Sequence, residues 1–194
     1  MQKAIRIFIV GLACVGIMLG YYFYLSSKND ARKSQDTVQL SEVQAIVDKD
    51  FDRDYPETPR AVIKWYNRII TAYYGADYDE EEFMAMAQQT RKLLDSELLE
   101  ANPNDEYMEN VRADIEDWRK RSKTIVNSEV CDTKSVSYKM VNGKECAYVT
   151  AYYFTKENSN FSRTYQQYCL RQDALGRWKI VAFRKVDREE SIDF

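Results

Sequence analysis

The amino-acid sequence predicts an α+β protein in which an N-terminal transmembrane helix precedes three helices packed on one face of a curved antiparallel sheet. Three observations lead to this fold class. An uncharged apolar run occupies residues 7–25. Apolar residues then recur with a helical period up to Lys123, and after Lys123 they alternate with the period of two that is typical of strands. Helices followed by a run of strands favour an α+β architecture.

The first segment is long enough to cross a bilayer. It begins at Ile7, ends at Leu25 and contains no charged residue. As a helix it would span roughly 28 Å, close to the hydrocarbon thickness of a membrane. A cleaved signal peptide is the main alternative, but such peptides end in small residues, whereas this run ends in tyrosines. A lipoprotein signal ending at Cys14 and a buried core helix fit less well. We therefore expect an uncleaved single-pass anchor in the lipid bilayer.

The anchor divides the chain into segments. Basic residues lie on both sides of it, so the positive-inside rule does not fix its orientation. We expect the large domain to lie outside the cytoplasm, because a domain of this size after a first span is commonly translocated. The predicted segments are a short cytoplasmic N-terminus (1–6), the transmembrane anchor (7–25), a tether (26–39), the α+β domain (40–187) and a polar tail (188–194).

Composition excludes several classes of chemistry. The chain has no histidine, which excludes catalytic triads and histidine-bearing zinc sites. The acidic run around Asp50 resembles a calcium loop, but Arg53 stands where glycine is needed and Pro59 where the bidentate glutamate is needed. No C-x-x-C pair is present. We therefore expect no metal and no cofactor.

Three cysteines follow the anchor, so one disulfide at most can form within the monomer. Small buried hydrophobic side chains are the simpler interpretation, and a bridge is left open among Cys131, Cys146 and Cys169.

Charge argues against nucleic acid as a partner. Residues 34–194 carry 23 basic and 30 acidic side chains, a net charge of −7. Phosphate binding needs clustered positive charge, which this balance does not favour.

Helix signals follow one another before Lys123. Ser41 and Gln44 form a capping-box pattern ahead of a short helix. The strongest helix is predicted in TPRAVIKWYNRIITAYYG, where Thr58 can cap, Pro59 suits the first turn and Gly75 can end the helix. A second helix is predicted in DEEEFMAMAQQTRKLLDSELL, with a capping box at Asp79 and Glu82, and a third carries an apolar stripe of Tyr107, Val111, Ile115 and Trp118.

Strand signals follow Lys123. The segment VSYKMVNGKECAYVTAYYF contains Asn142–Gly143, the strongest short signal for a two-residue hairpin turn. Two further strands are predicted in NFSRTYQQYCLR and RWKIVAFRKV, so the sheet is expected to meander in antiparallel fashion.

This order of elements resembles the cone-shaped fold of the nuclear-transport-factor-two and ketosteroid-isomerase superfamily. The segments TPRAVIKWYNRII, ECAYVTAYYF and GRWKIVAF are similar to an uncharacterised family of single-span proteins from Gram-positive anaerobes with that cystatin-like cone. The resemblance covers roughly residues 40–186 and rests on structural motifs, so it implies a fold and carries no chemistry.

Enzymes of that superfamily place an acid inside the cone, and Asp114 is the one weak catalytic candidate here. It lies between Tyr107 and Trp118 on the predicted inner stripe of the third helix, where burial would raise its pKa. The simpler interpretation is an Asp114 at the margin of the stripe that pairs with an arginine. An enzymatic role therefore has no support in the sequence beyond Asp114.

The predicted strand CAYVTAYYF has an aromatic face and a small-residue face. The aromatic face either belongs to the core, binds another protein, or lines a ligand cavity. The leading hypothesis is a membrane-anchored binding or assembly module, with self-association or an envelope protein as its partner. A cone pocket that binds or converts a small apolar ligand is the alternative. The candidate cavity or contact residues are Tyr66, Tyr73, Trp118, Tyr148, Tyr152 and Phe154.

Overall fold

A computed structural model of the chain describes residues 41–187. The predicted anchor, the tether and the polar tail lie outside these residues. Within residues 41–187, no helix combines the length and the apolar character needed to cross a membrane.

Five helices form the first half of the described chain. Their order along the sequence is α1 (Glu42–Val47), α2 (Pro59–Gly75), α3 (Glu80–Lys92), α4 (Ser96–Ala101) and α5 (Asn104–Lys120).

Five strands then form one antiparallel sheet: β1 (Lys123–Val130), β2 (Ser137–Val141), β3 (Lys144–Glu157), β4 (Asn160–Gln172) and β5 (Trp178–Val186). The long strand β3 pairs with β4 on one side. On its other side β3 pairs with β2 along its first half and with β1 along its second half. The predicted α+β layout, with helices packed against an antiparallel sheet, is confirmed.

The helices cover the small-residue face of β3. Ala147, Val149 and Ala151 are fully buried in the main core, together with Ile63 and Ile69 of α2. Small side chains allow the helix backbone to approach the sheet closely. The aromatic residues of β3 at even positions therefore point away from the helices, because successive strand side chains alternate between the two faces.

Of the three helix N-termini predicted from capping residues, two agree fully with the structure. Thr58 accepts a hydrogen bond from the backbone of Ala61, and Pro59 opens α2. Asp79 and Glu82 form the predicted reciprocal capping box of α3. The Ser41 hydroxyl caps α1 by accepting from the Gln44 amide, but the Gln44 side chain does not donate back to the Ser41 backbone as a capping box requires.

The Gln44 side chain donates instead to Asp48, one helical turn ahead, at 2.7 Å. A partner at i+4 on the same helix face is within reach of the amide and competes with the return bond to the helix start.

The second predicted helix is divided in two, which corrects the expectation of one continuous helix over DEEEFMAMAQQTRKLLDSELL. Residues 93–95 leave the helix and pair with the sheet edge: the Ile180 amide donates to Leu93 at 2.9 Å, and the Asp95 amide donates to Ile180 at 2.8 Å. The Asp95 side chain then caps α4 through the Glu97 amide at 3.0 Å. Contacts with β5, distant in sequence, therefore override a locally helical pattern.

The predicted hairpin is confirmed at Asn142–Gly143. Both residues have positive φ, 52° and 77° respectively, as a tight β2–β3 turn of the type favoured by Asn-Gly requires. Cys131, Cys146 and Cys169 are free thiols, two of them buried and Cys169 half-buried. This agrees with the simpler interpretation of the cysteines as small apolar side chains.

Candidate functional site

A cavity of about 510 Å³ opens between α2, α5 and the helix-facing side of the sheet. We call it the cone pocket. Helix α2 contributes one wall, helix α5 the opposite wall, and strands β1, β3, β4 and β5 the floor. Its aromatic lining consists of Tyr66, Tyr73, Tyr74, Tyr107, Trp118, Tyr153 and Phe183.

A charged rim borders this aromatic lining. The rings of Tyr74 and Trp118 are stacked with centroids 4.0 Å apart. The Lys123 ammonium lies 4.1 Å from the Trp118 ring centroid, within cation–π distance. The Tyr74 hydroxyl donates to the carboxylate of Asp114. The rim therefore offers one acidic and one basic group around a stacked aromatic pair.

A chain of hydrogen bonds runs from the pocket floor into the core. Tyr153 and Tyr168 hydroxyl oxygens lie 2.6 Å apart, the Tyr153 hydroxyl contacts the Asn67 amide at 2.5 Å, and the Tyr168 hydroxyl contacts the Gln166 amide at 2.6 Å. The Tyr153 hydroxyl donates to Asn67 Oδ1 and the Tyr168 hydroxyl donates to Gln166 Oε1, so both terminal amides present their oxygens to the chain. Gln166 and Tyr153 also line the cone pocket, so the chain fixes polar groups at its floor.

The phenols of the site stay protonated at neutral pH. Burial raises the pKa of Tyr66, Tyr73, Tyr153 and Tyr168 above the usual range. Burial, followed by the hydrogen bond to Asp114, raises the pKa of Tyr74 in the same direction. Neutral hydroxyls can donate and accept hydrogen bonds, but they are not bases. The chemistry that the pocket offers is therefore recognition by aromatic contact and neutral hydrogen bonds.

The candidate residues predicted from sequence divide between two surfaces. Tyr66, Tyr73, Asp114 and Trp118 line the cone pocket. Asp114 is exposed at the rim, which corrects the expectation that it is buried on the inner stripe of the helix. Its partner is the Tyr74 hydroxyl, whereas the simpler interpretation expected an arginine.

The remaining candidates lie on the opposite face of the sheet, which we call the outer sheet face. Tyr148, Tyr152 and Phe154 of β3 stand there opposite Cys169, Tyr165 and Arg163 of β4. Tyr152 and Tyr165 form a small cluster with Val186, separate from the main core. The Arg163 guanidinium lies 4.5 Å from the Tyr152 ring centroid and covers it. These three aromatic residues are therefore remote from the cone pocket.

Several pocket residues were missed from sequence, although two had signals. Tyr107 falls on the apolar stripe of α5, and Tyr153 falls on the small-residue face of β3 that the helices cover. Tyr74 and Lys123 had no clear signal, because each stands at an element end where periodicity is weak. Phe183 lies on the last strand and is 48% exposed, so an apolar pattern alone does not assign it to a cavity.

A second cavity, about 460 Å³, lies between α3, α4 and the start of β5. Most of its cations are already bound within the domain. Arg171 pairs with Asp95 at 2.6 Å, Arg177 with Asp173 at 3.0 Å, and the Lys179 ammonium donates to the Lys92 carbonyl at 2.6 Å. The cations of this cavity therefore belong to an ion network that joins α4 to the sheet, and the cone pocket is the stronger candidate site. Residues 41–187 contain no cluster of three or more side chains placed to bind a metal ion.

Comparisons with known proteins give a family and one structural similarity. A family model described as a domain of unknown function, DUF6715, matches residues 1–183. A search of curated proteins gave no match. Among solved structures, the chain is similar to CagV, a VirB8 homolog of T4SS from Helicobacter pylori. The identity is 14% and the TM-score 0.35, over 66% of this chain and 98% of that one.

Proposed function

This chain belongs to the DUF6715 family, and we propose that its described domain is a binding module whose cone pocket holds a small amphipathic molecule. The observation that carries the proposal is the cavity of about 510 Å³ beneath α2 and α5. A cone packed solid with side chains would leave no room for a ligand, whereas this volume lies in the usual range for small-molecule sites.

The lining indicates the chemistry of the ligand. Seven aromatic side chains provide flat apolar walls, which favour a ligand with an apolar ring system. Neutral hydrogen-bonding groups at the floor, including Gln166 and Thr164, would orient a hydroxyl or carbonyl group. Binding without chemistry is favoured, because the pocket phenols are held neutral and Asp114 is exposed.

We propose further that residues 7–25 anchor this module in a membrane, with the domain on the extracytoplasmic side. The uncharged length of the run supports anchoring, and the resemblance to single-span proteins of Gram-positive anaerobes agrees with it. Protease added to intact cells tests the orientation. Digestion of the domain is the expected outcome, and full protection would place it in the cytoplasm.

The pocket is tested with 2-naphthol, a probe with a fused aromatic body and one hydroxyl group. Saturation-transfer NMR on the full chain in lipid nanodiscs should show binding with a Kd on the order of 1 mM, as expected for a ligand of this size. Val111→Trp places an indole in the pocket wall and should abolish the transfer.

Val126→Trp is the matched control, because Val126 lies at the bulge of β1 and is 53% exposed. It adds the same indole to the surface and should leave the transfer unchanged. Equal binding to the wild type and to Val111→Trp would place the probe elsewhere and refute the pocket as the binding site.

A further inference from the structure

The outer sheet face carries cations that form no ion pair among the described residues. Lys139, Lys156 and Arg163 are all exposed, and by strand register they lie on the same side as Tyr148 and Tyr152. In these strands the same side carries one acid, Glu129, which lies near Arg163 and whose carboxylate accepts from the Tyr152 hydroxyl and the Asn127 amide.

Aromatic rings hold these three cations in place. The Lys139 ammonium lies 5.5 Å from the Tyr148 ring centroid, the Arg163 guanidinium 4.5 Å from Tyr152, and the Lys156 ammonium 5.9 Å from Phe161. Cation–π contacts restrict these long side chains without neutralising them. The face is therefore a positively charged surface with limited side-chain freedom, which lowers the entropic cost of binding an acidic surface.

The helices on the other side of the sheet carry the opposite charge. Residues 79–117 contain thirteen acidic and three basic side chains. Glu81, Glu100, Asp105, Glu106 and Glu109 are exposed and form no ion pair among the described residues. We call the exposed acids of α3–α5 the acidic helical surface. Because the helices cover the inner side of the sheet, this surface and the outer sheet face lie on opposite sides of one domain.

We propose that the outer sheet face of one copy of this chain binds the acidic helical surface of the next copy. The charge complementarity of two faces on the same domain identifies the partner as a second copy. A contact between two different surfaces is heterologous, and it extends into an open row unless the rotation between copies closes a ring. The five named acids do not line the cone pocket, although α5 also forms one of its walls.

The physical basis of the contact is electrostatic, so salt should weaken it. Exposed charges are screened over about 8 Å at physiological ionic strength and over about 3 Å at 1 M. We expect the association constant of the full chain in mild detergent to fall at least ~10-fold between low and high salt. Carbodiimide couples carboxylates directly to amines in contact. In a mixture of isotope-labelled and unlabelled chains, it should join Lys139 or Lys156 of one chain to acids of α4 and α5 of another.

Two charge-reversal variants test the pairing. Lys139→Glu with Arg163→Glu removes the basic surface, and Glu106→Lys with Glu109→Lys removes the acidic one. By light scattering, each variant alone should lose the salt-sensitive association. Mixed together, they should associate again, because the unchanged surfaces of the two variants are complementary and the new glutamates of one also face the new lysines of the other.

Reversals outside both surfaces are the controls. Lys64→Glu and Glu57→Lys each reverse one exposed charge elsewhere, the same change per residue, and should leave the association as in the wild type. A wild-type chain whose size does not depend on salt would overturn the proposal. Reversal variants that associate like the wild type would also overturn it. A protein that binds anionic lipid vesicles through these cations and stays monomeric on them would overturn it as well.

Discussion

The hydroxyl oxygens of Tyr153 and Tyr168 lie 2.6 Å apart between strands β3 and β4, at the centre of a hydrogen-bond chain that ends in the amides of Asn67 and Gln166. Three of its four members are buried. Such a chain is stabilising when every group has a partner and costly when one partner is removed, because the remaining group stays away from water.

Tyr168→Phe should therefore destabilise the domain. The change keeps the ring and removes one hydroxyl, leaving Tyr153 with one partner fewer. We expect the free energy of unfolding to fall by about 1–3 kcal/mol, measured by urea denaturation of the full chain. Tyr138→Phe is the matched control, since Tyr138 is 52% exposed and its loss should cost less than about 0.5 kcal/mol. Equal effects of the two substitutions would contradict a stabilising role for the chain.

Trp118 should report ligand binding by its fluorescence. Its ring lines the cone pocket, stacked on Tyr74, so an aromatic ligand that enters must change its surroundings. Titration with 2-naphthol should quench part of the tryptophan emission, and Trp118→Phe should remove that response. Trp65→Phe should retain it, because Trp65 packs against Phe51 outside the pocket. A response that survives in Trp118→Phe would place the probe at another tryptophan.

The Asp95–Arg171 ion pair should make stability depend on pH. Burial acts to raise the pKa of Asp95, but hydrogen bonds from Arg171 and from the Glu97 amide outweigh it and leave the pKa lowered. A carboxylate whose folded pKa is lowered contributes stability above its unfolded pKa of about 3.9, and loses it as pH falls through the folded value.

Asp95→Asn should cost about 2 kcal/mol at pH 7, since Arg171 keeps Glu97 as a second partner. The difference from the wild type should shrink as pH falls below about 4. Chemical denaturation across this pH range checks the prediction. A difference that stays constant down to pH 2 would show that the charge of Asp95 is not the cause.

Gly143→Ala should destabilise the β2–β3 hairpin. Gly143 has φ of +77°, a conformation that side chains with a Cβ avoid. We expect a loss of about 1 kcal/mol in unfolding free energy. Gly75→Ala is the control, because its φ is not in that region and the added Cβ would meet Thr124 Oγ1 at an ordinary 3.5 Å. A Gly143→Ala variant as stable as Gly75→Ala would contradict the role of the turn.

Local signals gave most of the helices and the hairpin, because caps and tight turns depend on residues three or four positions apart. Thr58, Asp79 and Asn142–Gly143 are examples. The division of the second helix was not predictable in this way. It depends on Ile180, which lies far along the chain and takes the backbone of residues 93–95 as a bridge partner.

The site was predicted only in part, since a period of two identifies two faces of a strand without showing which one the helices cover. Tyr66, Tyr73 and Trp118 were placed on inner helix stripes, and they do line the cone pocket. Tyr148, Tyr152 and Phe154 were grouped with them, yet the small side chains of Ala147 and Ala151 bring the helices to the other face. Tyr153 therefore belongs to the pocket.

The bridge between residues 93–95 and Ile180 also bears on misfolding. Free strand edges can recruit further strands and so seed fibrils. The start of β5 is shielded because its backbone already has a partner in this short segment. On the opposite edge of the sheet, a bulge between Ile125 and Asn127 interrupts β1. This leaves β2, where Tyr138 and Met140 are exposed, as the edge strand where amyloid-like growth would begin.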